Sequence, residues 1–322
     1  MKKIKWGIIG LGKIAHKFAE GLTAVNSAEL YAVGSRNLQN AEEFSRKHAV
    51  KNAYGSYEEL MKDPGVDVIY IATPHSFHHE LTLKSIRHNK GVLCEKPFAM
   101  NIQQAEEMIA LSREKEVFLM EALWTRFLPH FQYVLKKIDS GELGKVTSIK
   151  ADFGFLAEFD KTKRLFNKSL GGGSLLDIGI YPLFLAYTLL GKPESIQAKA
   201  KFTDTGVDSE CDMLLKYPDN VDAVLFSTFK EETKTIAEIV LEKGSILINS
   251  RFHEPATVVI ITDGKEEVKE FSVKTNGYNF EAEHVNEMLQ KGKRESDIWS
   301  LENTRDLMNL LDAVRKVIGL TY

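Results

Sequence analysis

The sequence predicts an α/β protein. An N-terminal doubly wound parallel sheet of the Rossmann type precedes a C-terminal α+β domain with a large, mostly antiparallel sheet. Three observations carry this. Short apolar runs alternate with helical patterns up to about residue 120, which implies parallel strands joined by right-handed crossovers. A glycine turn, Gly10-Leu11-Gly12-Lys13-Ile14-Ala15, links the first strand to the first helix. From Ser195 to Val273 strand follows strand, split by turn signals at Tyr217-Pro218-Asp219-Asn220, Lys243-Gly244 and Asp263-Gly264.

Taken in order, residues 4–9 read as a strand and 13–25 as a helix, with Ile14, Phe18 and Leu22 recurring at a spacing of four. Strands are expected at 29–34, 67–72, 91–95 and 117–120, and helices at 38–48, 77–88 and 102–115. Near residue 122 the texture changes, and 129–138 and 176–190 look helical. The run Ala223-Val224-Leu225-Phe226 is apolar on both faces, where a sheet covered by helices on one side should alternate. Either a partner subunit covers the second face or the strand is buried in its own domain. Two amphipathic helices finish the chain. One carries Phe280, Val285, Met288 and Leu289, the other Leu301, Leu307, Leu311, Val314 and Ile318. The expected domains are 1–121 and 122–322, with the last helix able to pack back on the first.

Bulk properties narrow the function. A chain of 322 residues with 43% hydrophobic residues can build two sizeable cores. A net charge of −3 without a dense basic run argues against nucleic acid and anionic membranes as partners. Apolar stretches such as 66–72 are too short to span a bilayer. Lys2, Lys3 and Lys5 before Trp6-Gly7-Ile8-Ile9 imitate a signal peptide, but Gly10, Gly12 and Lys13 interrupt it and no small-residue cleavage site follows. Two cysteines, Cys94 and Cys211, make neither a disulfide framework nor a metal set. They fit a reducing cytoplasm.

The glycine turn has a mechanical reading. Gly10 makes the tight turn, Gly12 lets a pyrophosphate approach the backbone, and Ala15 lets the helix pack close to the strand. The helix start offers unpaired N–H groups to phosphate. The second strand ends Val33-Gly34-Ser35-Arg36, without the carboxylate that accepts from the ribose 2′-OH of NAD. Arg36 can pair with a 2′-phosphate and Ser35 can donate to it, so the expected cofactor is NADP. The bland alternative for Arg36 is a solvated surface arginine. Cys94-Glu95-Lys96-Pro97 closes another strand of the parallel sheet, at the end where such sheets bind ligands. Lys96 is there either as a surface cation or as a deliberate charge in the cleft, and Pro97 restricts it to extended geometry.

The opening turn, Glu95-Lys96-Pro97 and Asp177-Ile178-Gly179-Ile180-Tyr181 together resemble the glucose–fructose oxidoreductase/inositol dehydrogenase (Gfo/Idh/MocA) family. Glu121-Ala122-Leu123-Trp124-Thr125-Arg126-Phe127 resembles the branch of dimeric dihydrodiol dehydrogenase and NADP-dependent D-xylose dehydrogenase. The similarity covers nearly the whole chain. It implies that Lys96 sits beside the nicotinamide and the substrate hydroxyl and that the Lys96–Pro97 peptide is cis. It also implies a homodimer formed through the C-terminal sheet.

Many relatives read Asp-x-Gly-x-His where this chain has Tyr181. A phenol with a free pKa of about 10 is a poor base. Tyr181 therefore suits proton donation in carbonyl reduction, or base catalysis at mildly alkaline pH; otherwise it is a buried structural tyrosine. Asp177 either caps a helix start or touches substrate and orients the lysine. Gly171-Gly172-Gly173 is a loop or a close backbone approach.

Thr73, Pro74, His75 and His78 follow a parallel strand and border the cleft. The family often has Asn where this chain has His75. His78 matches the family's histidine at the following helix start, with a structural or cofactor-adjacent role. His78 and His79 are adjacent on a helix and point apart, with no convergent cysteine or carboxylate, so no metal is expected. Trp124 can stack on nicotinamide or a sugar ring, or simply pack between domains; Arg126 lies beside it. Phe153 and Phe155 share one strand face and line the expected substrate wall. The expected cofactor residues are thus Gly10, Gly12, Lys13, Ile14, Ser35, Arg36, Thr73, Pro74, His75, His78, Glu95, Lys96, Trp124 and Arg126. Trp124, Phe153, Phe155, Asp177 and Tyr181 are expected at the substrate, and Lys96, Tyr181 and Asp177 in catalysis.

The expected activity is NADP-dependent hydride transfer to or from a secondary alcohol or hemiacetal carbon of a sugar or cyclic trans-diol. A non-catalytic NADP-binding sensor or scaffold would keep Gly10, Gly12 and Arg36 but would not need Lys96 with Tyr181. An enzyme resembling biliverdin reductase, acting on a non-sugar substrate, would need a wide, flat pocket.

Overall fold

The computed structural model describes residues 3–322, so Lys2 of the basic N-terminal run lies outside the described residues. Its first sheet is built from β1 (Ile4–Ile9), β2 (Ala28–Gly34), β3 (Asn52–Tyr54), β4 (Val68–Ile71), β5 (Gly91–Glu95) and β6 (Leu119–Ala122). The strands lie in the order β3-β2-β1-β4-β5-β6 and pair in parallel. Helices α1 (Lys13–Leu22), α2 (Leu38–His48), α3 (Tyr57–Lys62), α4 (His78–Arg87) and α5 (Ile102–Lys115) make the crossovers. The strand order reverses between β1 and β4, so a crevice opens at their carboxyl ends, where ligands of such sheets bind. Every residue of β4 and β5 is buried, which is why both strands are apolar nearly throughout.

β3 and α3 were not anticipated. β3 has only three residues, too few for a period-2 signal. The start of α3 was legible in hindsight, because Ser56 and Glu59 have capping-box spacing and the Ser56 hydroxyl accepts from the Glu59 N–H at 3.2 Å. α1 stops at Leu22 rather than 25; Thr23 turns the chain and its hydroxyl donates to the Glu20 carbonyl.

The second sheet has eight strands: β7 (Val146–Gly154), β8 (Ser195–Phe202), β9 (Asp208–Lys216), β10 (Asp222–Thr228), β11 (Ala237–Leu241), β12 (Gly244–Ile248), β13 (Val258–Thr262) and β14 (Lys265–Lys269). Their order is β14-β13-β12-β11-β7-β10-β9-β8. β7 and β10 pair in parallel and the other neighbours antiparallel. Helices α6 (Pro129–Asp139) and α7 (Ile180–Leu190) belong to the same unit, with α7 packed on β7 and β10. β10 alternates after all: Ala223 and Leu225 are buried, whereas Val224 is 50% exposed. The helical run Lys168–Leu190 holds an 18-residue stretch with a mean hydropathy of 1.5, long and apolar enough to cross a membrane, contrary to the expectation that no apolar stretch reaches that length. That stretch is 83% buried inside the protein, the environment of a core helix.

Two helices complete the chain, α8 (Tyr278–Gln290) and α9 (Leu301–Ile318). The molecule divides into two compact units: Met1–Trp124 with Val273–Arg305, and Thr125–Ser272 with Asp306–Tyr322. Most of the last fifty residues thus group by packing rather than by order in the chain. α8 lies on α1 at Gly21, where a Cβ would come within 2.9 Å of the Tyr278 Cβ. Asn286 of α8 accepts from the Trp6 indole at 3.0 Å and donates to Ser27 at 2.9 Å. Residues 273–305 are held to the first unit by such contacts, which no local pattern announces.

Candidate active site

The glycine turn lies in the crevice between β1 and β4. Gly10 has φ +87°, and a Cβ there would come within 2.8 Å of the Ala72 carbonyl carbon and oxygen. Gly12 has nothing within 4 Å of its missing Cβ among the described residues. It precedes α1 without a side-chain cap, so the first N–H groups of α1 keep their free donors. A cleft of about 670 Å³ runs past Gly10, Gly12, Ser35, Arg36, Thr73 and Pro74, six of the residues expected at a cofactor. The other eight expected there, Lys13, Ile14, His75, His78, Glu95, Lys96, Trp124 and Arg126, are outside its lining.

His16, Asn37, Asn40, Glu43, Phe44, Lys47 and Tyr57 join that lining and were missed. His16 bonds His48 at 2.7 Å, and burial, then Lys47, holds it below the usual histidine range. The Arg36 guanidinium is exposed, 5.6 Å from the Phe77 ring and beside the Tyr57 phenol. The Thr73 hydroxyl is buried without a hydrogen-bond partner among the described residues. An unsatisfied donor beside an open glycine backbone and a helix N-terminus fits a dinucleotide pyrophosphate, and Arg36 fits a 2′-phosphate.

The two glycines should respond differently to alanine. Gly10→Ala meets the Ala72 backbone in a left-handed conformation, a strain of about 1–3 kcal/mol. It should lower Tm by roughly 5 °C or more and weaken NADP binding. Gly12→Ala, at φ −82° and in open space, should weaken NADP binding with Tm little changed. Thermal melts and cofactor titrations of both variants check this, and equal melting temperatures for the two would refute the packing argument.

The segment carrying Lys96 follows β5. Its Lys96–Pro97 peptide is cis, as the family resemblance implies. The Glu95 carboxylate accepts from the Tyr70 hydroxyl and, at 3.2 Å, from the Lys96 backbone N–H. His78 is fully buried, with Nδ1 2.9 Å from the Pro97 carbonyl and Nε2 2.9 Å from the Thr73 carbonyl. Each ring nitrogen lies within hydrogen-bond distance of a carbonyl, and a nitrogen that carries a proton donates to it. His78 therefore ties the lysine turn to the nucleotide cleft. The His75 ring stands edge-on to it at 5.7 Å, while His79 turns outward to Glu107. Among the described residues no group of three or more His, Cys, Asp or Glu side chains could hold a metal.

On the same unit Trp124 is 5% exposed and lies parallel to Tyr278 at 4.2 Å, which covers one of its faces. Glu281, one turn along α8, is fully buried, and neither carboxylate oxygen has a hydrogen-bond partner among the described residues. Burial, with Glu95 adding repulsion, pushes its carboxyl well above the ordinary range. Arg126 falls in the second unit. Its Nη1 is buried without a hydrogen-bond partner among the described residues, and burial lowers its guanidinium pKa.

In the second unit Tyr181 occupies the first turn of α7 and is 6% exposed. Its ring lies 4.7 Å from His253 and 5.8 Å from Phe153, and Phe153 stacks on His253 at 4.1 Å. Phe155 follows at 6.3 Å from Phe153. His253 was missed; the only sequence signal was a charged and aromatic run, Arg251-Phe252-His253-Glu254, between strands.

Asp177 is not the cap that its position near a helix start suggested. It lies inside a single wide turn, Leu175–Gly179, that leads into α7, and it accepts from Arg164 at 2.8 Å. Asp208 does the capping instead, accepting from the Leu175 N–H and the Ser174 hydroxyl, both at 2.7 Å. Burial pushes its carboxyl up to about 6. Gly171-Gly172-Gly173 serves close approach: a Cβ at Gly172 would meet the Arg164 and Leu165 carbonyls at 2.6 Å, and one at Gly173 would strike Asp208. Arg164 was missed because a surface run of Lys161, Lys163 and Arg164 singles out none of its members.

Comparison with known proteins follows the same division. A family model described as an oxidoreductase family with an NAD-binding Rossmann fold matches residues 4–123, and one described as the GFO/IDH/MocA C-terminal domain matches 131–247. The trans-1,2-dihydrobenzene-1,2-diol dehydrogenase of Xenopus tropicalis is 38% identical, over 99% of each chain. The enzyme of the same name from Homo sapiens is 35% identical over 99% of this chain and 98% of its own. The 3-ketoreductase KijD10 of Actinomadura kijaniata, solved with NADP and TDP-benzene, superposes with a TM-score of 0.89 at 26% identity, covering 98% of each chain. The aldose–aldose oxidoreductase of Caulobacter crescentus shares the fold, with a TM-score of 0.90 at 24% identity over 99% of this chain and 98% of its own.

Proposed function

The chain belongs to the Gfo/Idh/MocA oxidoreductase family, and from that premise we propose that it moves a hydride between NADP and a secondary alcohol or hemiacetal carbon of a sugar or cyclic trans-diol. The observation that carries this reading is the His78 bridge, which fixes the Lys96 turn against Thr73 of the nucleotide cleft. A sensor or scaffold needs the cleft but has no use for a lysine anchored to it. The names of the vertebrate relatives favour a cyclic trans-diol, and the NADP in the ketoreductase complex favours the phosphorylated cofactor.

The roles follow from the residues. The backbone at Gly12 and the start of α1 receives the pyrophosphate, and Thr73 donates its unsatisfied hydroxyl. Arg36 and Ser35 bind the 2′-phosphate. Bound in this cleft, the nicotinamide would supply the hydride acceptor for oxidation of the carbinol carbon and the hydride donor for the reverse direction. The Lys96 ammonium stabilises negative charge on the substrate oxygen. The Tyr181 phenol takes the hydroxyl proton in oxidation and gives it back in reduction. Phe153 and His253 hold the Tyr181 ring, and Asp177, fixed by Arg164, binds a substrate hydroxyl. Phe155 and Trp124 supply apolar wall suited to a sugar or diene ring.

A spectrophotometric screen tests the reading. NADP⁺ or NADPH is offered with pentoses, hexoses, 1,5-anhydrosugars, inositols and trans-dihydrodiols or the matching carbonyl compounds. Turnover with a sugar or cyclic trans-diol is expected; stoichiometric NADP binding without turnover across the panel favours the sensor. We further propose a cytoplasmic homodimer formed through the second-unit sheet, where Val224 presents an apolar side chain to the outside. A monomer by light scattering at micromolar concentration would reject the dimer, and secretion of the protein would reject the location.

A further inference from the structure

We propose that Glu121 is a positioning residue for Lys96, acting through the backbone of Phe98. The inference rests on the role given to Lys96 above. Glu121 stands in β6 at the edge of the parallel sheet, paired with Cys94 of β5, and is fully buried. One carboxylate oxygen accepts from the Phe98 N–H at 3.1 Å, two residues beyond Lys96. The other accepts from the Trp299 indole N–H at 3.1 Å. The lysine turn is thus tied at three successive backbone groups: the Lys96 N–H to Glu95, the Pro97 carbonyl to His78 and the Phe98 N–H to Glu121.

The donor geometry favours ionisation. Each oxygen of Glu121 faces a nitrogen donor, and a carboxylate accepts from both more strongly than the neutral acid does. Protonation weakens both ties and adds an O–H that needs an acceptor of its own. Other titratable groups nearby are Cys94 and Glu95 on β5, with Tyr70 of β4 and Glu281 of α8 beyond Glu95; the Thr304 hydroxyl of α9 also faces the carboxyl. Burial pushes the Glu121 carboxyl up to about 7, against the pull of Trp299, Thr304 and Phe98 and with Glu95 adding repulsion. The ionised form, which holds the turn, gains as pH rises through that value and is lost as pH falls through it. The charge stabilisation by Lys96 and the proton exchange by Tyr181 use no part of this group, so its effect on turnover is indirect.

The test uses the full chain labelled with ¹⁵N-tryptophan, titrated from about pH 5.5 to 8.5. The Trp299 indole resonance is assigned with Trp299→Phe. In parallel, kcat and KM are measured over the same range with the panel substrate of highest kcat/KM. The Trp299 resonance should titrate with a midpoint near 7, and kcat should fall below the same midpoint while the KM for NADP holds within about twofold. Glu121→Gln should flatten both curves and leave kcat about tenfold low at pH 8, the loss of one charge-assisted hydrogen bond. Glu121→Asp, which keeps the charge, should recover part of that loss. A Trp299 resonance that ignores pH, or wild-type kcat in Glu121→Gln at pH 8, overturns the proposal. The wild-type titration needs no variant, so an unstable Glu121→Gln protein does not remove the test. Lys96→Met separates the two readings. If it keeps turnover, the lysine assignment fails while the Trp299 titration still reports the brace. If it is inactive and the resonance is flat, the brace alone fails.

Discussion

Lys96→Met and Tyr181→Phe should each lower kcat by about 10²-fold or more while NADP still binds. Both substitutions are close to isosteric, and the structure explains why folding should survive them. The three ties of the lysine turn run through the Lys96 N–H, the Pro97 carbonyl and the Phe98 N–H, so losing the ammonium leaves them intact. The Tyr181 ring keeps its contacts with Phe153 and His253 when only the hydroxyl is removed. On the proposed mechanism the loss is chemical: a cation beside the substrate oxygen in one case, and the group that exchanges the hydroxyl proton in the other. If the two act on the same oxygen, the double variant should be much less impaired than the product of the single losses predicts. Steady-state kinetics with cofactor titration checks all three proteins. Near-normal turnover in both single variants would end the assignment and leave a nucleotide-binding protein.

Arg36→Ala should cost about 10- to 100-fold in kcat/KM with NADP and little with NAD, the scale of lost hydrogen bonds between charged groups. The end of β2 carries Ser35 and Arg36 and no acid, so no carboxylate at that strand end repels a 2′-phosphate, although Glu43 of α2 is in the same lining. Phe77 and Tyr57 flank the guanidinium, and Lys47 adds a second cation to the cleft lining. Arg36 is exposed, so its contribution is screened and the NADP preference should narrow as salt rises. Kinetics with both cofactors at low and high ionic strength reads the effect. Equal kcat/KM for NADP and NAD in the wild type, or an Arg36→Ala variant that binds NADP normally, would contradict it.

Local physics made much of the fold legible. The parallel sheet announced itself through fully buried strands, and the turn after β1 through glycines at positions where a Cβ would strike Ala72 or stand in the way of phosphate. The short β3 offered too few residues for a periodic signal. What stayed hidden was set by distant partners. Gly21 matters because Tyr278 lies on it, and Asn286 matters because Trp6 and Ser27 reach it. No spacing rule relates those pairs. The same limit applies at the candidate site. Asp177 and Asp208 are both acids within reach of one helix start, and only the fold decides that Asp208 caps while Asp177 receives Arg164. His253 could not be separated from other strand-end residues until its ring was seen against Phe153 and Tyr181. Trp124 looked available on both faces until Tyr278 was found against one of them.

Direct hydride exchange between a carbinol carbon and the nicotinamide is tested by offering NADP⁺ with a panel substrate deuterated at the carbon that is oxidised, then analysing the cofactor by mass spectrometry. Deuterium should appear at nicotinamide C4 in one-to-one yield with the carbonyl product, and Lys96→Met should slow the transfer by about 10²-fold or more. Bound NADP⁺ that stays unlabelled and unreduced with every diol and sugar of the panel would contradict it.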